Sequence, residues 1–122
     1  MRMPWFNLRD AGGRLWRVYL VDALVDPDDG ARKALLGLTH FDKREIEICV
    51  RQSWRECQNT VMHELMHAAG GVKRDKPWSR ELEEAFVSKA ERTMRRMVEQ
   101  LGFRVPPLPK GVKMQPPKKA TA

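Results

Sequence analysis

The clearest hydrophobic pattern in this chain is helical. Trp54, Cys57, Val61, Leu65 and Ala68 recur at intervals of 3, 4, 4 and 3 residues, which is the spacing of one apolar stripe on an α-helix. Ser53-Trp54-Arg55-Glu56 has capping-box spacing, with Ser53 at the N-cap and Glu56 reaching back to the cap amide. Gly70-Gly71 supplies a stop. A second helical pattern starts at Ser79, an N-cap after Pro77-Trp78, and runs to Leu101 before Gly102. Its apolar positions are Leu82, Phe86, Val87, Ala90, Met94, Met97, Val98 and Leu101, and a methionine stripe of this kind is core material.

Ahead of these helices the period changes to two. Leu15 to Val21 has the aromatic and β-branched content of a strand. Asp26-Pro27-Asp28-Asp29-Gly30 is a turn cluster. Leu36 to Phe41 and Glu45 to Val50 flank Asp42-Lys43-Arg44 as a hairpin, and Ile46, Ile48 and Val50 share one face of its second arm. Residues 1–13 form a lead-in segment ending in Ala11-Gly12-Gly13. These elements predict an α+β fold in which a small three-stranded antiparallel sheet packs on two long α-helices, all within residues 1–104. Residues 105–122 are rich in proline and lysine and read as a disordered or extended tail with little apolar area to bury. Deleting residues 106–122 is therefore expected to leave the melting temperature nearly unchanged.

A chain of 122 residues can bury one core but not two. It has no run of 18 apolar residues, so no membrane span is expected. Met1 to Phe6 lacks the apolar stretch of a signal peptide, and there are two cysteines, Cys49 and Cys57. Both features point to a cytoplasmic protein with reduced thiols. The net charge of +7 suggests an acidic partner or nucleic acid. Its placement weakens that inference. Lys110, Lys113, Lys118 and Lys119 lie in the tail, and Lys73, Arg74 and Lys76 lie in one loop. Lys89, Arg92 and Arg96 form a helical stripe of the kind that usually faces solvent.

The chemistry is concentrated in His63-Glu64-Leu65-Met66-His67, which spells H-E-x-x-H. Positions four apart on a helix lie about 40° apart around its axis, so both imidazoles point the same way and can share one Zn2+ ion. The apolar stripe falls roughly 120° to 200° from His63, so the histidines face away from the core seam. Glu64 sits beside the metal position as a general base toward a zinc-bound water. A catalytic zinc normally takes three protein ligands. His40, the remaining histidine, reads as a surface residue, and Cys57 points into the apolar stripe. Glu81, Glu83 and Glu84 on the following helix are better placed. Glu84 is preferred, because it flanks the apolar face and has Ser88 four residues on; Glu83 is the close alternative.

His63-Glu64-Leu65-Met66-His67-Ala68, followed by a helix with Glu84-Ala85-Phe86-Val87, resembles the gluzincin metallopeptidases. More narrowly, the layout is similar to small phage and bacterial proteins with a compact zinc-peptidase core. There a hairpin ending in an aspartate-lysine turn precedes T-x-x-H-E-L-x-H-A. Leu36-Gly37, Phe41-Asp42-Lys43, Glu45-Ile46-Glu47-Ile48 and Thr60-Val61-Met62-His63 match that order over about residues 35–101. The resemblance implies His63, His67 and Glu84 as zinc ligands, Glu64 as base, and a protein or peptide substrate. Two other functions compete: a phage-encoded interaction or regulatory protein whose zinc site is structural or degenerate, and a nucleic-acid-associated protease resembling the SprT-like enzymes.

Overall fold

The computed structural model describes residues 1–10, 12–26, 30–31, 34–70, 96–102 and 104–117. Its strands are β1 (Arg2–Arg9), β2 (Leu15–Val21), β3 (Gly37–His40) and β4 (Glu45–Cys49), followed by helix α1 (Trp54–Gly70). They form one sheet in the order β1-β2-β4-β3. β1–β2 and β3–β4 are antiparallel, whereas β2–β4 is parallel.

The sheet therefore has four strands and is mixed, which corrects the three-stranded antiparallel expectation. β4 takes an inner position because Ile46 and Ile48 lie in register with Val18 and Leu20 of β2. All four are buried on the face covered by α1, together with Leu8 and Trp16. The expected pair of long helices is corrected too. Among the described residues one long helix, α1, is accompanied by a short helical stretch over 96–100. Ser79 and most of the second predicted apolar face lie outside the described residues, although Met97 is fully buried in the core. No described helix is long and apolar enough to cross a membrane.

α1 begins as its sequence dictates. The Ser53 amide donates to Glu56 Oε1 at 3.2 Å and the Glu56 amide to Ser53 Oγ at 3.1 Å, the reciprocal capping box. Cys57, Val61, Leu65 and Ala68 of its stripe are buried against the sheet.

Asp10 closes the β1–β2 connection. Its carboxylate accepts the Gly12 and Arg14 amides at 2.9 and 3.0 Å, Arg14 Nε at 3.2 Å and the buried Trp16 indole N–H at 3.1 Å. Burial alone would raise its pKa, but these bonds and the Arg14 charge hold it below the ordinary 3.8. A carboxylate depressed in the folded state stabilises above its unfolded pKa, and that contribution is lost as pH falls toward the folded value. Asp10→Asn should therefore destabilise by about 1–3 kcal/mol at neutral pH. In urea melts the gap to wild type should narrow once the pH drops below 3.8. A gap independent of pH would contradict this role.

Residues 104–117 correct the expected disordered tail. The segment is extended and lacks regular structure, yet it is docked. Val105 is buried, and Leu108, Val112 and Met114 pack on the core. The Gln115 amide donates to the Val50 carbonyl at 2.7 Å, and the Trp5 indole donates to the Pro107 carbonyl at 2.9 Å. Half-burying three such side chains is worth roughly 2–4 kcal/mol. Deleting residues 106–122 should thus lower the melting temperature by about 10 °C, not leave it unchanged. Thermal melts of the truncated chain check this.

Candidate metal centre

The outer surface of α1 brings the two predicted histidines together. Nε2 of His63 and Nε2 of His67 are 3.0 Å apart, and their rings stand at 79° to one another. Two imidazoles bound to one tetrahedral zinc at 2.0–2.1 Å hold their nitrogens about 3.3 Å apart. A few tenths of an ångström of side-chain opening would suit the pair to the ion. Without an ion, the same spacing suits one N–H···N hydrogen bond between the rings. A ligand atom of Glu64 completes a cluster whose members all lie within 4.8 Å of one another. His63 is exposed and His67 half-buried, while Glu64 is only 4% exposed.

Glu64 is buried because it points between α1 and the edge strand β3. Its Oε2 accepts the Thr39 hydroxyl at 2.9 Å, and the same hydroxyl lies 3.3 Å from the Glu64 carbonyl oxygen. A hydroxyl has one proton to give, and the shorter contact, to the side-chain oxygen, is the stronger bond. Gly37 makes the close approach possible. A Cβ there would stand 2.7 Å from Thr60 Cγ2 and 2.8 Å from Glu64 Cγ.

Buried Gln52 fixes the register of helix and strands just upstream. Its amide nitrogen donates to the Leu36 and Cys49 carbonyls at 3.2 and 2.7 Å, and its oxygen accepts the Thr60 hydroxyl at 2.7 Å. Three residues that carry no metal-site signal in the sequence, Gly37 by its lack of a side chain and Thr39 and Gln52 by their hydrogen bonds, thus place the acid. The available signal was the two-residue period itself. Gly37 and Thr39 pair with Ile48 and Ile46, so they share the helix-facing side with those buried isoleucines.

The two edges of the sheet differ. At the β1 edge the Gln100 amide imitates a partner strand, accepting the Arg9 N–H at 3.0 Å and donating to the Arg9 carbonyl at 2.9 Å. At the β3 edge the Cys49 amide donates to the Leu36 carbonyl at 2.9 Å. Because antiparallel bonding alternates, Leu38 and His40 turn their backbone groups toward β4, and Gly37 and Thr39 turn theirs outward. Among the described residues no hydrogen bond caps those outward groups.

The other candidates fall as follows. Glu81, Glu83 and Glu84, including the preferred third ligand, lie outside the described residues. His40 alternates to the far face of β3 from Thr39 and bonds Glu47 there. Cys57 belongs to the core, where burial pushes its thiol up to about 12, so it stays protonated. No protein-family model, no characterised protein and no solved structure matches this chain.

Proposed function

We propose that this protein is a zinc-dependent hydrolase acting on peptide bonds. The observation that carries the reading is a buried carboxylate, tethered by Thr39, beside one exposed and one half-buried imidazole with their nitrogens 3.0 Å apart. His63 and His67 hold the ion, with Glu84 the proposed third ligand. When bound, zinc supplies Lewis acidity, polarising a carbonyl and bringing water ionisation toward neutral pH. Glu64 takes a proton from the attacking water and delivers it to the departing amine nitrogen. The outward backbone groups of Gly37 and Thr39 hold an extended peptide by strand addition alongside the helix.

Chelation separates a catalytic metal from a structural one. The histidines lie on the face of α1 turned from the core, so the core does not depend on the ion. Zinc removal should abolish cleavage of an unfolded protein while the circular dichroism spectrum and cooperative melt persist. Unfolding on chelation would instead assign the ion a structural role.

A further inference from the structure

The acid of this site is oriented by a strand, not by its own helix. Glu64 has a flexible side chain, and nothing in an H-E-x-x-H sequence dictates which rotamer it adopts. In this fold Thr39 Oγ1 donates to Glu64 Oε2 at 2.9 Å. The missing side chain at Gly37 lets the carboxylate stem lie against β3, and the Gln52–Thr60 bond pins the preceding turn of α1 to the same strands. Glu64 Oε1 makes no hydrogen bond to a described residue, and no buried side-chain oxygen among them is left unsatisfied. Among the described residues one oxygen is thereby tethered and the other left for proton transfer.

Resting on the hydrolase reading, we infer that Thr39 is the positioning residue for the Glu64 base, its hydroxyl fixing the carboxylate while its backbone meets the substrate strand. Thr39 has both functions because strand geometry separates them. Its side chain faces α1, whereas its N–H and C=O face the outer edge of β3, which no described residue caps. A peptide laid along that edge is held by the residue that also orients the base. Docking and proton transfer are thus registered to each other through a single strand position. A base misplaced by even 1 Å can lose about 100-fold in rate, so a lost tether falls on turnover and not on metal uptake.

The test compares zinc-loaded wild type, Thr39→Val, Thr39→Ser and Glu64→Gln on dye-quenched unfolded casein. Valine keeps the branched shape and removes the donor; serine keeps the donor. Thr39→Val should lose about 10- to 100-fold in kcat with KM within about twofold of wild type. Zinc content should be unaltered, and Thr39→Ser should restore most of the rate. Thr39→Ala, which adds no methyl to the helix–strand seam, is the second variant should the valine protein fail to fold. A fully active Thr39→Val alongside an inactive Glu64→Gln overturns the role of Thr39 and leaves the hydrolase reading standing. Glu64→Gln as active as wild type overturns the hydrolase reading itself. A readout independent of turnover is side-chain 13C relaxation of Glu64 in the metal-free protein. Loss of the hydroxyl should mobilise the carboxylate stem on the ps–ns scale, and unchanged order in Thr39→Val overturns the inference.

Discussion

His67→Ala should strip the protein of zinc. The two imidazoles converge with their Nε2 atoms 3.0 Å apart on one face of α1, and removing either leaves a single histidine anchor on that helix. Structural zinc sites bind with roughly 10–16 kcal/mol shared among about four ligands, so one ligand is worth about 2.5–4 kcal/mol. That converts to a loss of affinity on the order of 10²- to 10³-fold. The fold should survive, because His67 lies outside the buried stripe of Cys57, Val61, Leu65 and Ala68. Equilibrium dialysis and a thermal melt check both halves. Stoichiometric zinc retained by His67→Ala would remove the metal assignment.

The second large effect belongs to Glu64→Gln. Glutamine keeps the length and shape of glutamate and still accepts the Thr39 hydroxyl, so packing beneath β3 should be preserved. It cannot take up a proton at neutral pH. Hydrolytic activity should fall by about 10²- to 10⁴-fold, the usual worth of a positioned acid–base group, with zinc content and melting temperature close to wild type. Loss of zinc in this variant would instead make Glu64 a support for the metal. Full activity would mean that the protein works by binding.

Local signals were legible in the sequence and long-range ones were not. The capping box at Ser53–Glu56 and the stripe on α1 involve neighbours within one or two turns, and both form as the spacing requires. The convergence of His63 and His67 follows from the same helical period. The sheet was harder to read, because alternation shows which face a residue takes but not which strand lies beside it. The parallel pairing of Val18 with Ile46 and Leu20 with Ile48 leaves no local mark.

β1 was hidden for a different reason. Its register shifts between Pro4 and Phe6, a bulge at Trp5 that breaks the two-residue period just where a strand would have been recognised. In the tail, prolines and lysines dominate the composition and mask Leu108, Val112 and Met114, which find apolar partners only in the assembled core. The contribution of Thr39 is legible only after the β3–β4 register is known, since a one-residue slip would turn its hydroxyl away from Glu64.

If His63, Glu64 and His67 form the proposed hydrolytic zinc centre, turnover must follow zinc loading. The most direct measurement titrates zinc into the metal-free protein while following cleavage of an unfolded substrate. The rate should climb in proportion to added zinc, level off at a single equivalent, and stay near baseline for Glu64→Gln over the same range of bound metal. A wild-type protein that takes up its zinc and cleaves no faster than Glu64→Gln would contradict it.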